Sequence, residues 1–258
     1  MLAILFLSVA TAAAALALPL DRLRFADVGS EFNARVNDLM IAAGFGIDQV
    51  NVSGQRFAAD SDIFDALDLP NVRTFAAFDS DAALKRIERI PWVDNAQITR
   101  VYPSTLDIVI RERVPAAIWT RGDKNYLIDA TGRVLGPLPV AGGWALPRVV
   151  GEGANGEATL LLAALQQYPA LERDYAYAER IAERRWRIVL KNGSAIELGA
   201  DREIEGLEEI ADTRPLRSVL SGKAMIVDVR TPGRITVRPA GPSARTAALA
   251  TTLASGQP

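Results

Sequence analysis

The chain of 258 residues contains no cysteine and no histidine. That double absence removes disulfides, zinc sites of the Cys/His type, thiol nucleophiles and any Ser-His-Asp triad. A carboxylate-only metal site or a Ser-Lys catalyst is what stays open to it. An excess of one charge is lacking too: 29 Lys and Arg stand against 31 Asp and Glu, a formal net charge of -2. With a sequence pI near 5.4 there is no broad basic field to meet a nucleic-acid backbone. Internal repeats are absent. What is there is ordinary globular composition, 49% hydrophobic and 23% charged, enough for one large domain or two small ones.

One long uncharged run stands out. No charged residue occurs from Met1 to Leu20, and the first is Asp21. A helix of about 20 residues at about 1.5 Å rise spans the roughly 30 Å hydrocarbon core of a bilayer. Residues 1–20 are therefore read as a transmembrane helix. A cleaved signal peptide competes, because Ala15-Leu16-Ala17 has an A-x-A shape, but the basic segment that opens such peptides is missing. Arg22 and Arg24 follow the run and no basic residue precedes it, so the positive-inside rule taken alone puts the bulk of the chain in the cytoplasm. The residues by themselves leave orientation open.

Residues 21–46 read as a membrane-proximal connector, with Phe32, Val36, Leu39 and Met40 on one helical stripe. A strand follows over Ile47 to Val52, ended by Ser53-Gly54. Asp60 or Ser61 caps a helix with Ile63, Phe64 and Leu67 inward, and Pro70-Asn71 breaks it. Ser80 caps a second helix with Leu84 and Ile87 inward, stopped by Pro91. Two strands come next, on Ala96, Ile98 and Val101, then on Leu106, Ile108 and Ile110, joined by Tyr102-Pro103-Ser104. The order strand, helix, helix, strand, strand buries a core only with both helices on one sheet face.

The second half is strand-rich. Tyr126 to Asp129 and Val134-Leu135 flank a Thr131-Gly132 turn, and a Pro/Gly-rich loop runs from Gly136 to Pro147. Glu157 to Tyr168 is an amphipathic helix on Leu161, Ala164, Leu165 and Tyr168. Trp186, Ile188 and Leu190 alternate up to Asn192-Gly193, and Ala195 to Leu198 returns, which is a hairpin signature. Glu203 to Ile210 is a short helix. Met225 to Val229 and Arg234 to Val237 form a last hairpin across Thr231-Pro232-Gly233. Residues 240–258 have the composition of a disordered tail.

Several patterns invite a chemical reading. Gly151 to Gly156 is a literal G-x-G-x-x-G ahead of a helix. Pro147 leaves Val149 and Val150 alone as a buried strand, too short for a central parallel strand. The next candidate strand, around Arg180-Ile181-Ala182, ends without the expected acid. The expectation is a helix-capping loop and no cofactor. The acidic groups Asp60, Asp62, Asp65 and Glu203, Glu205, Glu208, Glu209 sit at helix starts or on polar faces, where they favour the helix dipole. Ser221-Gly222-Lys223 is read as a turn, Trp92 and Trp186 as core residues, Arg111 and Arg113 with Glu112 as a stripe on one sheet face, and Arg184, Arg185 and Arg187 as surface charge.

The last hairpin carries the functional hypothesis. Ile235 and Val237 alternate with Thr236 and Arg238 on what should be an edge strand, beginning at Arg234 and followed by Pro239. An edge offers unpaired N–H and C=O groups to another chain. Arg238 and Pro239 equally serve to protect such an edge from aggregation. Arg230, in the preceding strand, is a candidate charged contact.

An ordered set of short motifs points to one family. Val50-x-Val52-x-Gly54 is followed by Pro91-Trp92-Val93, Pro103-x-x-Leu106, Arg111-Glu112-Arg113-x-Pro115-Ala116-Ala117 and Leu127-Ile128-Asp129-x-x-Gly132. Arg185-Trp186, Leu190-x-Asn192-Gly193, Val227-Asp228-Val229-Arg230 and Ile235-Thr236-Val237 complete it. From about Gly46 to Pro239 the chain resembles the FtsQ/DivIB family of bacterial cell-division proteins. The resemblance implies an α+β fold class: a transmembrane helix, a POTRA domain of order β-α-α-β-β, then a mainly antiparallel β domain with short helices. The division expected is 1–20 helix, 21–46 connector, 47–116 POTRA domain, 117–239 β domain and 240–258 tail. It further implies a non-catalytic scaffold of the septal machinery in the inner membrane, its C-terminal domains in the periplasm. Its partners would be FtsB-like and FtsL-like bitopic proteins, bound by strand addition at the C-terminal edge, with no cofactor, nucleic acid or small-molecule substrate. A POTRA-type chaperone of membrane protein insertion or secretion is the alternative. The family's usual cytoplasmic tail has no counterpart here.

Overall fold

The computed structural model describes residues 35–139, 143–212 and 222–241. The run read as an anchor, the start of the connector and the tail from residue 242 lie outside the described residues, as does Ser221. Among the described residues no helix is long and apolar enough to cross a membrane. The described residues divide into two compact units, one built on residues 35–53, 60–87 and 96–109 and the other on 54–59, 88–95 and the described residues from 110 to 241.

The first unit begins with helix α1 (35–42). Strand β1 (Gln49–Ser53) follows, then helices α2 (Asp60–Leu67) and α3 (Ser80–Ile87), then β2 (Val93–Val101) and β3 (Thr105–Glu112). The three strands form a sheet of order β1-β3-β2, with β1 parallel to β3. The two intervening helices supply the crossover that a parallel pair requires. Ile63, Leu67, Ala83, Ile87, Leu106 and Ile108 are buried, while Val109, pointing the other way from β3, is exposed. Three details differ from expectation. Phe64 is exposed and Ala66 is buried instead, because the inward face of α2 runs through positions 63, 66 and 67. In α3 Ala83 rather than Leu84 is buried, and the cap is Asp79, whose Oδ1 accepts from the Ala82 N–H at 3.0 Å. Val101 is exposed, since it breaks the two-residue period set by Ala96 and Ile98.

The second unit contains a nine-stranded sheet of order β12-β11-β10-β9-β8-β7-β4-β5-β6 among the described residues. Its strands are β4 (Pro115–Arg121), β5 (Lys124–Asp129), β6 (Val134–Pro137), β7 (Arg148–Val150), β8 (Tyr175–Ile181), β9 (Arg185–Leu190), β10 (Ala195–Glu197), β11 (Met225–Thr231) and β12 (Arg234–Pro239). Helices α4 (Ala154–Gln166), α5 (Pro169–Asp174) and α6 (Glu203–Asp212) interrupt them. Leu161 and Leu165 of α4 and Leu207 and Ile210 of α6 share one buried cluster with Val149, Ala178, Trp186, Ile188, Ile196 and Val227. A smaller cluster holds Ile118, Leu127 and Leu135, with Trp92 and Trp144 packed against it. Trp92 is therefore half-buried, stacked on Phe57 at 4.6 Å between ring centres.

The sheet is mainly antiparallel but has a parallel centre. β7 pairs in parallel with both β4 and β8, and β10 pairs in parallel with β11. The expectation that Arg148–Val150 is too short for a central parallel strand is thus overturned. Three residues suffice because Val149 is fully buried between two longer neighbours. The helix after it is longer than expected, starting at Ala154 inside the glycine-rich segment, and β8 begins at Tyr175 rather than near Arg180.

Candidate partner-binding edge

The last two strands are one hairpin, turned at Gly233 with φ +65. β11 is held from within: Val227 and Val229 are buried, and β10 fixes its other side. Helix α6 approaches it closely, because a Cβ on Gly206 would lie 3.2 Å from the Val229 Cγ2. Among the described residues β12 is the outermost strand, paired on β11 alone.

The register tells which main-chain groups of β12 face outward. Val227 stands opposite Val237 and Asp228 opposite Thr236, and the Ala240 N–H donates to the Ala224 carbonyl at 3.0 Å. In an antiparallel ladder bonded and non-bonded pairs alternate. Ala224/Ala240 is a bonded pair, so Ile226/Arg238 and Asp228/Thr236 are bonded also. Val237, Ile235 and Pro239 then turn their main-chain groups away from β11. Proline stands where no ladder N–H is needed.

Side chains divide by face. Val237 shares the helix-covered face with buried Val227, and Ile235 lies two residues along; they are 39% and 36% exposed. Thr236 and Arg238 lie on the opposite face, across from Asp228 and Ile226. There Asp228, Arg230, Thr231, Arg234 and Thr236 line a cleft of about 320 Å³. Of the six residues singled out from sequence, Arg230, Arg234 and Thr236 meet in that cleft. Ile235 and Val237 are on the other face, and Arg238 flanks it. Asp228 and Thr231 were not anticipated as lining residues; the Asp-x-Arg spacing, which puts both side chains on one face, was the available signal.

The Arg230 Nε donates to Asp228 Oδ1 at 2.9 Å. This bond holds the Asp228 carboxyl below the usual carboxylate range against the opposing effect of burial, and it raises Arg230 in turn. A charged row runs inward from this pair. Glu179, Arg187, Glu197, Asp228 and Thr236 are successive cross-strand neighbours on β8 to β12. Arg187 donates to Glu197 at 2.8 Å and to Glu179 at 3.3 Å, so it is an ion-paired member of the row and not loose surface charge. Arg111 and Arg113 are likewise paired rather than a plain stripe: both reach Asp94, and Arg113 also reaches Asp129. Glu112 points elsewhere and accepts the N–H groups of Arg56, Phe57 and Ala58 at 2.7–2.8 Å.

The glycine-rich segment follows a strand and opens a helix, as a phosphate-binding loop would. Two of its glycines are nonetheless accounted for by the chain itself. A Cβ on Gly151 would lie 2.6 Å from the Arg180 carbonyl, and the Gly151 carbonyl accepts from the Trp119 indole at 2.8 Å. Gly153 takes a left-handed N-cap conformation, with the Glu183 carboxylate 3.7 Å from where its Cβ would be. Glu152 pairs with Arg121. No group of three or more metal-ligating side chains occurs among the described residues.

Comparison with known proteins agrees with this architecture. Residues 45–113 match the POTRA domain of FtsQ type, and residues 117–230 match the C-terminal domain of cell division protein FtsQ/DivIB. A cell division protein FtsQ from Agrobacterium fabrum is 32% identical over 82% of this chain and 67% of its own length. The chain belongs to the FtsQ/DivIB family. An FtsQ from Bartonella bacilliformis is 34% identical over 76% of the chain, and one from Caulobacter vibrioides NA1000 is 31% identical over 82%. The aligned span covers 63% of the Bartonella protein and 70% of the Caulobacter one. Membership places the chain among bacterial cell-division proteins with a POTRA domain followed by a β-rich domain. The family match ends at Arg230, so β12 lies beyond it.

Proposed function

We propose that this FtsQ-family chain is a non-catalytic, membrane-anchored scaffold of the divisome that takes an added strand from FtsB-like and FtsL-like partners on β12. The observation that carries the reading is the outer edge of β12, where Ile235 and Val237 present both unpaired main-chain groups and half-exposed apolar side chains. The cleft of Arg230, Arg234 and Thr236 beside it supplies polar contacts on the other face. Anchoring in the inner membrane, with both units in the periplasm at the septum, is part of this reading, and the uncharged run Met1 to Leu20 and family membership support it.

Each main-chain bond contributes about 0.5–1.5 kcal/mol net, so a short edge needs its side-chain contacts as well. The test is co-purification of the detergent-solubilised full chain with FtsB-like and FtsL-like proteins, wild type beside Val237→Pro. Capture by wild type and loss in a folded variant supports the reading. Equal capture by both moves the site off β12, and no capture by either sinks the partner assignment.

A further inference from the structure

The first unit carries an apolar surface that the β12 site does not use. On α1, Val36, Leu39 and Met40 recur at the spacing of one helix face, and Ala43 continues it in the turn that follows. That face is not turned into a core: Leu39 is 70% exposed. The helix is tied down from its other side, where Asn37 Oδ1 accepts from the buried Thr74 hydroxyl at 2.8 Å. The chain then reverses at Gly44, and the Phe45 N–H donates to the Met40 carbonyl. Met40 and Phe45 line a cleft of about 320 Å³ with Phe75, Ala76, Arg100 and Tyr102. Tyr102, 67% exposed, meets Phe75 edge-on at 5.4 Å.

We propose that this surface rests on the headgroup–acyl boundary of the bilayer that anchors the same chain. The inference depends on reading Met1 to Leu20 as the anchor. Three observations favour a lipid surface over a protein partner. Residues 21–34 separate that run from α1, at most about 50 Å of fully extended chain, so the surface is confined near the bilayer. A handful of side chains is too little for a stable interface between free proteins, which buries about 1,200–2,000 Å². A tethered contact needs far less, because the linker sets a high effective concentration. The chemistry is also that of a membrane interface: aromatic rings, one of them phenolic, around an arginine with a long apolar stem. Asp38, the exposed acid on α1, lies about 200° round the helix from Val36 and so off this face.

The lack of native cysteine makes single-site labelling clean. The full chain would be reconstituted into phosphatidylethanolamine/phosphatidylglycerol vesicles carrying lipids spin-labelled near the headgroup. An environment-sensitive fluorophore would be placed at Leu39→Cys or, as reference, at the exposed Asp62→Cys on α2. The expected result is flotation with the vesicles and quenching at position 39 roughly threefold that at position 62, reduced by a Tyr102→Ser background. Flotation with equal quenching at the two positions overturns the inference and leaves the anchor standing. Failure to float overturns both.

Discussion

Proline substitution along β12 should separate binding from folding with a period of two. Proline has no N–H, so its effect depends on where the lost group pointed. At Val237 that group faces away from β11, whereas at Thr236 it closes the ladder onto Asp228. Val237→Pro therefore costs the incoming strand one hydrogen bond, about 0.5–1.5 kcal/mol, which is about a 2- to 13-fold weaker Kd. Thr236→Pro leaves a β11 carbonyl without its donor, about 1–3 kcal/mol of stability. For a domain of this size that is a fall in Tm of about 2–12 °C. Val237→Ala, which keeps the N–H, controls for the lost side chain. Circular dichroism melting and biolayer interferometry against an FtsB-like extracytoplasmic fragment give the two readouts. If both proline variants lose the same Tm, the register argument fails. If Val237→Pro binds no worse than Val237→Ala, the outward N–H is not used.

Further predictions rest on the interior. Arg113→Ala should destabilise by about 2–3 kcal/mol, below the about 3–5 of a broken buried pair, because Asp129 keeps donors from Thr131 and Arg133. Asp94→Ala, removing the half-exposed partner, should cost under about 1 kcal/mol; equal losses in urea unfolding would contradict this ranking. Burial pushes the Asp129 carboxyl up, but hydrogen bonds from Thr131, Arg133 and Arg113 outweigh it and hold it below the usual carboxylate range. The stability it contributes is present above the unfolded value of about 4 and is lost as pH falls through the lower folded value. Melting temperatures between neutral pH and pH 3 should therefore fall less steeply for Asp129→Asn, and identical slopes would refute the assignment. Gly132→Ala should cost clearly more than Gly122→Ala in thermal melts. Both have positive φ, but a Cβ at 132 would lie 2.3 Å from the Asn155 carbonyl, whereas at 122 it meets nothing within 4 Å.

Where a residue's neighbours are set by local period, the sequence was readable. Leu106, Ile108 and Ile110 alternate and are buried, as are Trp186, Ile188 and Leu190, and Asn192-Gly193 turns the hairpin between β9 and β10. The edge strand was legible for the same reason, its alternation being followed by Pro239. What escaped was set by distant partners. Val149 reads as too short a run because β4 and β8, not its own length, make it a strand. Glu112 gives no local hint that it will receive three N–H groups from residues 56–58. Arg187 looks like one of several surface arginines until β10 brings Glu197 beside it. In the cleft at the edge, the sequence singles out Arg230 as a candidate contact but not the Asp228 that fixes its direction.

The place of β12 in the chain has a consequence for biosynthesis. Among the described strands, the one at the end of the sheet is also the last to leave the ribosome. Until Arg234–Pro239 has emerged, β11 is the boundary of the sheet, and it offers the apolar residues Met225, Ile226, Val227 and Val229 with only the mutually paired Asp228 and Arg230 as charges and no proline to discourage pairing. A chain cut before Arg234 would exchange an edge that carries Arg234, Arg238 and Pro239 for a more apolar one that lacks proline. Premature termination there would then do more harm to its neighbours than the simple loss of one strand, by seeding sheet-to-sheet association among nascent chains.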